Sequence, residues 1–449
     1  MDIEKQAYIP SDNVPEIGTK SIQEDKYSRI SADIVSNILA EYSGKIAVKL
    51  WDGTLVYGEY NAPCTMYFRE PGVLRELVLH RDLLRLADCY LSNSIDVVGD
   101  FESLFGLKNY LSNMDMSIAT KLHILMQALR LPQLSHGDSA QKGHVKLYSH
   151  ENSRESIACH YDVSNEFYQL WLDPEMVYSC AYFRNEHQHL ASAQYEKLDY
   201  LCRKLRLQPG QSLLDIGCGW GALAIHAARN YDVNVHGITL SKAQQRFAHE
   251  KVLREGLEHK VNIELLDYRD LSMDAKYDHV VSVGMFEHVG IKNFPIYFGT
   301  VKRVLKPGGL FLNHGITSDT GWQYTSMTRF INRYIFPDGE LARISDVADA
   351  MEKAGFEILD TESLRRHYAY TLRHWVKALE ENCEEAIHKT SEATYRLWRL
   401  YMSGSAHYFE EGSIGVHQLL VGHQYDKVTI PLRRDDLYTD QVVHTAKNK

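Results

Sequence analysis

The run Leu213-Leu214-Asp215-Ile216-Gly217-Cys218-Gly219-Trp220-Gly221 places three glycines at alternate positions directly after an apolar stretch and an acid. Bare backbone at Gly217 and Gly219 permits positive φ and lets a ligand lie against the chain. In an open α/β sheet this position is the crevice at the carboxyl ends of the strands, where ligands are held. A dinucleotide fingerprint would read GxGxxG, with an acid ending the second strand about 20 residues on. Here the pattern is GxGxG, and the second strand ends in Thr239. Asp215 would repel a pyrophosphate but can face an ammonium, directly or through water, as the methionine end of S-adenosylmethionine requires. The loop therefore reads as a site for that sulfonium donor.

Two further groups fall at strand ends on the same rim: Glu287 after the fourth strand and His314 after the fifth. Other chemistries find less support. His187-Gln188-His189 is the only tight histidine pair and lacks a third ligand at metal spacing, so no metal is expected. Seven cysteines, with no CxxC pair, disfavour a disulfide framework or a cysteine zinc site. Lys plus Arg is 49 and Asp plus Glu is 59, a net charge of -10, so no basic field exists to draw the chain onto nucleic acid. No apolar run reaches about 18 residues, and the amino-terminal residues carry no export signal. A reducing cytoplasm is the expected compartment.

The elements that must position these residues follow from periodicity. Residues 212–216, 234–239, 261–266, 279–284 and 310–313 read as strands, and helices are expected over 221–229 and from Ser241. That alternation predicts a doubly wound parallel sheet with helices on both faces. Ser241 and Gln244 have capping-box spacing, although Gln244 could instead face a ligand. Ser345, Asp346 and Gly355 bracket another helix, 356–359 is a late strand, and a long terminal helix is read from Thr371. Met327, Phe330, Ile331 and Tyr334 form a helical stripe in an insertion at about 317–344, a plausible apolar wall or lid. Upstream, 46–50 and 55–57 flank Asp52-Gly53 as a hairpin, 65–69 is a strand, and 74–91 is helical, giving a small α+β module. The chain of 449 residues divides into this module (1–132), a polar linker (133–156) and the larger domain (157–449).

His160-Tyr161-Asp162-Val163-Ser164-Asn165, Tyr178-Ser179-Cys180-Ala181-Tyr182-Phe183, the glycine loop, Gly237-Ile238-Thr239-Leu240-Ser241, Gly284-Met285-Phe286-Glu287-His288-Val289-Gly290 and His367-Tyr368-Ala369-Tyr370-Thr371-Leu372 occur together and in order. As a set they resemble the cyclopropane fatty acid synthases, kin to the mycolic acid methyltransferases, over about two thirds of the chain. The resemblance implies a Rossmann-like class I S-adenosylmethionine-dependent methyltransferase domain behind a small N-terminal domain. It implies methylene transfer to a cis double bond in a phospholipid acyl chain, with a bound bicarbonate accepting the proton. The bicarbonate would be held by Cys180, Glu287, His314, the backbone near Ile316, and Tyr368. Cofactor contacts carried over are Tyr161, Tyr178, Ser179, Gly217, Gly219, Thr239, Gln244 and the pair Tyr268-Arg269, with Asp215 and Cys218 belonging to the same loop. The pair Tyr268-Arg269 departs from a Trp-Glu found in some relatives. A homodimer working peripherally on the inner face of a phospholipid bilayer is also implied. Arg329, Arg333, Arg365, Arg366 and Arg373 are candidates to meet lipid phosphates or to form internal ion pairs.

Overall fold

The computed structural model describes residues 26–80, 82–134, 164–336, 339–427 and 430–438, so Tyr161 and most of the expected linker lie outside the described residues. These residues form two compact units, each with its own sheet. In the first, strands β1 (Ile46–Lys49), β2 (Leu55–Tyr57), β3 (Cys64–Phe68) and β4 (Ile95–Gly99) lie in the order β2-β1-β3-β4. β1 and β2 form the expected antiparallel hairpin. Its turn closes because Gly53 takes φ +87° and Asp52 Oδ1 accepts from Thr54 N at 2.9 Å. The helical run expected over 74–91 is two helices, Gly72–His80 and Leu83–Leu91, because Asp82 caps the second by accepting from Leu84 N. Helices Lys26–Ile38 and Ile118–Ala128 complete a core of Ile34, Val48, Met66, Phe68, Val97 and Ile124.

β4 is an edge strand, and a late stretch of chain, Glu392–Gly404, belongs to this unit and closes that edge. Arg396 donates to Ile95 O at 3.3 Å, and Arg399 donates to Val97 O at 2.8 Å and Gly99 O at 3.2 Å. These carbonyls alternate along β4 and so form its outer row, which would otherwise be open to pairing. The guanidiniums also lie over the rings of Tyr90 and Phe101. A linear division of the sequence does not contain this contribution, since no local pattern links residue 396 to residue 95.

The second unit is a seven-stranded sheet of β5 (Ser212–Ile216), β6 (Asn234–Thr239), β7 (Val261–Leu265), β8 (Tyr277–Val283), β9 (Leu305–Ser318), β10 (Phe356–Ser363) and β11 (Ile414–His423). Its order is β10-β11-β9-β8-β5-β6-β7. β5 to β9 pair in parallel. β11, which sequence patterning missed, inserts antiparallel between β10 and β9 and so corrects the wholly parallel sheet. Alternate residues of each strand feed opposite faces. Leu213, Val281 and Leu312 pack with helices Leu190–Lys204, Ala222–Tyr231 and Lys242–Arg254, whereas Leu214, Val280 and Phe311 pack with Phe294–Val304 and Ile344–Lys353. This is a doubly wound α/β architecture with one antiparallel strand. The helix expected from Thr371 spans Arg365–Glu381, its early start carrying no signal because Leu364 makes no side-chain cap bond, and it is not terminal: helices Cys383–Lys389 and Glu392–Glu411 and strand β11 follow it. Similarly, the helix starting at Ile344 is capped by Arg343, which exchanges bonds with Asp346.

Candidate active site

At the carboxyl ends of β5 and β6 the chain leaves a cavity of about 150 Å³ lined by Tyr178, Ser179, Asp215, Gly217, Cys218, Gly219, Thr239, Gln244, Tyr268 and Arg269. Ten residues singled out from the sequence thus surround one space. Gly217, Gly219 and Gly221 all take positive φ. A Cβ on Gly217 would lie 2.9 Å from Met285 Cγ, whereas one on Gly219 would meet nothing within 4 Å. The first glycine therefore permits close packing of the loop on the β8 end, and the second leaves bare backbone beside open space.

The floor of the cavity carries charge. Asp215 is buried, and burial raises its carboxyl to about 7, opposed by the nearby Lys197. Thr239 Oγ1 donates to Gln244 Oε1 at 2.9 Å, and Ser241 N donates back to Thr239 Oγ1. Ser241 does cap its helix by accepting from Gln244 N, but the Gln244 side chain turns toward Thr239 instead of completing a capping box. Gln244 thus lines the cavity. Arg269 bends back on buried Asp267 in a two-point ion pair at 2.9 and 2.7 Å, and its planar guanidinium lies over the Tyr268 ring, 5.8 Å from the centroid. These flat groups at one end and a buried acid beside open glycine backbone at the other suit a ligand with a flat heterocycle and an ammonium. The residues thus fit S-adenosylmethionine.

Beside the cavity stand the other candidates. Met285 and His288 line it, and Glu287 lies between them on the turn Phe286–His288. Ile316 N donates to Glu287 Oε1 at 3.2 Å, while Glu287 Oε2 is buried with no hydrogen-bond partner among the described residues. Burial raises this carboxyl to about 7, against the backbone bonds that lower it. The turn reaches β9 so closely because residue 315 is glycine: a Cβ there would lie 2.0 Å from the Phe286 ring and 2.9 Å from Glu287 Oε2. His314, 2 % exposed, receives Gln418 Nε2 at 3.1 Å on Nδ1. With the Gln418 amide as donor the ring proton lies on Nε2, which is buried with no partner among the described residues. Burial holds His314 well below its ordinary pKa, so the ring is neutral. Cys180 is fully buried with Sγ directed to Ala181 O and Leu364 O, and burial pushes its thiol far up, which leaves no thiolate for nucleophilic attack. Tyr368 follows Leu364 by one helical turn, its N bonded to Leu364 O, and its ring rests on Phe409 and Trp375.

Several residues of this region had not been marked from the sequence. Lys197 lines the cavity, and its signal was a lysine within the buried stripe Gln194, Lys197, Leu198 and Leu201 of one helix. Gln418 lies on the strand that patterning missed. The expected apolar insertion contains a helix, Ser326–Tyr334, with Phe330 buried, and Phe336 touches His288 at 4.9 Å between ring centroids. Tyr324, by contrast, is 85 % exposed and forms no wall. The arginines are engaged locally: Arg365 on the carbonyls of Phe409 and Glu410, Arg366 on Glu186 and Arg373 on Glu410.

Comparison with known proteins agrees with this geometry. A "Probable fatty acid methyltransferase" of Pseudomonas putida is 40% identical over 398 residues, covering 88% of this chain and 96% of its own. The cyclopropane-fatty-acyl-phospholipid synthase of Escherichia coli is 42% identical over 261 residues, 58% of this chain and 66% of that protein. The solved structure of the cyclopropane synthase MmaA2 from Mycobacterium tuberculosis superposes with a TM-score of 0.57 at 38% identity, covering 60% of this chain and 97% of that one. The family model for mycolic acid cyclopropane synthetase matches residues 148–419, which include both the cavity and the Glu287–His314 group. The chain belongs to the mycolic acid cyclopropane synthetase family of S-adenosylmethionine-dependent methyltransferases.

Proposed function

We propose that the protein converts the cis double bond of an unsaturated phospholipid acyl chain into a cyclopropane ring. The carrying observation is that Glu287 Oε2 and His314 Nε2, next to the cavity residues Met285, His288 and Val283, are both buried with no partner among the described residues. S-adenosylmethionine supplies an electrophilic methyl group, which an isolated alkene needs because it is a poor nucleophile. The methyl carbon bonds to one alkene carbon while its bond to sulfur breaks, leaving a cation on the other alkene carbon. Loss of a proton from the added methyl then closes the ring. Water would trap the cation as an alcohol, so the site must exclude solvent and still hold a base.

Glu287, His314, Cys180, Ile316 and Tyr368 are the residues that would hold bicarbonate. An acceptor at Glu287 and an N–H donor at His314 suit a small anion that carries one proton of its own. Bicarbonate bound there would supply the base. Cys180, with its raised thiol pKa, acts by shape and weak hydrogen bonding. The cavity residues, including Tyr178, Ser179, Thr239 and Gln244, orient the donor.

The substrate has to be met at a lipid surface. Helix Ile118–Ala128 supports this: Ile118, Leu122 and Met126, with Leu129 just beyond, form an exposed stripe at helical spacing, and the helix contains Lys121 and no acid. The first unit would then contribute the contact, offsetting an overall charge of -10.

A second reading is a methyl-branched acyl product, one outcome open to a fatty acid methyltransferase, the words used for the Pseudomonas putida relative that spans most of this chain. Incubation with S-adenosylmethionine bearing a CD3 group and cis-unsaturated phospholipid vesicles separates the two by mass spectrometry of the acyl chains. Ring closure retains two deuterons and removes the double bond, whereas a methyl-branched alkene, formed when the cation instead loses a proton from the neighbouring chain carbon, retains all three deuterons and a double bond. Unaltered lipid would sink both readings.

A further inference from the structure

Helix Leu190–Lys204 holds the segment 177–179 from below through two side chains one turn apart. Gln194 Nε2 donates to Ser179 O at 2.9 Å and to Val177 O at 3.3 Å, and Lys197 Nζ donates to Ser179 Oγ at 2.8 Å. Lys197 is 1% exposed and lines the same cavity as Asp215. An ammonium has three N–H groups, and a neutral hydroxyl answers one of them. Removing a cation from water costs several kcal/mol unless an anion meets it. Among the described residues no carboxylate lies within ion-pair distance of this nitrogen, and the oxygens of Asp173, its strongest electrostatic neighbour, accept from Glu175 N and Val177 N. Burial lowers the Lys197 pKa to about 8, with Asp173, Cys180 and Asp215 acting in the opposite direction.

The cavity therefore contains a buried cation and a buried acid that do not close on each other. A ligand with a carboxylate and an ammonium on one carbon would answer both. We propose that Lys197 receives the carboxylate of the amino-acid end of S-adenosylmethionine while Asp215 faces its ammonium. The assignment rests on the reading of the cavity as the donor site. It makes the helix 190–204 part of donor recognition, and Ser179, bonded to Lys197, the residue that sets the direction of the ammonium.

Calorimetric binding to the full chain tests this with three ligands: S-adenosylhomocysteine, its decarboxylated analogue, which keeps the amine, and methylthioadenosine, which lacks both groups. The wild type should prefer S-adenosylhomocysteine to the decarboxylated analogue by about 10- to 100-fold, the range for a hydrogen bond to a charged group. Lys197→Met and Lys197→Gln should abolish that preference and leave methylthioadenosine affinity unchanged. Asp215→Asn should keep the preference for the carboxylate and weaken both amine-bearing ligands toward methylthioadenosine. Retention of the carboxylate preference in both Lys197 variants overturns the assignment, as does an equal loss of all three ligands, which marks a structural lysine. Failure of the wild type to bind any of the three would instead reject the donor site itself, and the assignment with it.

Discussion

Glu287 illustrates how a single residue can set function against stability. Its carboxyl, raised to about 7 from an ordinary 4.5, keeps its proton in the folded chain at pH values where the unfolded chain has lost it. Stability is therefore greatest below the unfolded value and falls as pH rises from about 4.5 to about 7, by up to about 3 kcal/mol. Asp215, raised from 3.8 to about 7, adds a slope of the same sign. If the ionised carboxylate orients the bound anion, turnover should rise through the window in which the fold weakens. Glu287→Gln is expected to lower kcat by at least about 100-fold. It should leave S-adenosylhomocysteine affinity within a factor of about 3 and raise the thermal midpoint at pH 8. Kinetics, calorimetry and a melting curve on one preparation check all three; a matching loss of ligand affinity would mean that Glu287 shapes the cavity. Glu287 and His314 were legible as polar groups at strand ends, whereas Cys180, Ile316 and Tyr368 were named only through the family resemblance, since a helix residue such as Tyr368 carries no local mark of a site. Lys197 was not, since a lysine in a helix is ordinarily solvated, and only tertiary packing reveals that its stripe is buried.

At the scale of elements, the close approach of the turn Phe286–His288 to β9 depends on an absent side chain. Gly315→Ala would place a methyl group 2.0 Å from the Phe286 ring, so the turn must move and carry Glu287 with it. Overpacking of this kind costs roughly 1 to 3 kcal/mol. We expect Gly315→Ala to lower the melting midpoint and reduce turnover while donor binding, governed by the β5 and β6 ends, persists. The exposed stripe on helix Ile118–Ala128 gives a second element-level prediction. Leu122→Glu with Met126→Glu should weaken co-sedimentation with phospholipid vesicles by about 10-fold or more, because each replaces buried apolar area of a few kcal/mol by charge. Activity on lipid dispersed in detergent should survive, and unchanged vesicle binding would exclude this helix as the contact. Raising salt should have little effect if apolar contact dominates. The elements that alternate cleanly, β5 to β8 and their helices, were readable in the sequence. β11 was not, because Ile414–His423 breaks its apolar residues with Gly415, His417, Gln418 and Gly422, and its antiparallel place between β9 and β10 is fixed by long-range pairing rather than by any local signal.

For the molecule as a whole, the two units differ in how they are assembled from the chain. The second gathers nearly all of its sheet from consecutive segments, whereas the first takes its closing piece from residues 392–404. Arg396 and Arg399 each satisfy several acceptors there, Arg396 adding Tyr90 O, Asn93 Oδ1 and an ion pair to Asp96 at 3.1 Å. Replacing both with alanine would leave a row of carbonyls to water and remove two ring contacts. We expect a loss of about 3 kcal/mol or more from the first unit. Limited proteolysis should register this as faster cleavage within 26–134, with the glycine-loop cavity still binding S-adenosylhomocysteine.

The same arrangement constrains how the protein is made. When residue 134 leaves the ribosome, the carbonyls of Ile95, Val97 and Gly99 have no arginines to meet them, and about 260 more residues must be polymerised before residues 392–404 emerge. At roughly 5 to 20 residues per second, that interval lasts about 13 to 50 s. Throughout it the nascent chain carries a four-stranded sheet whose β4 edge is bare, a state apt to pair with a neighbouring copy on the same messenger. A chaperone that covers extended backbone would act on this protein early in synthesis, well before the catalytic sheet exists.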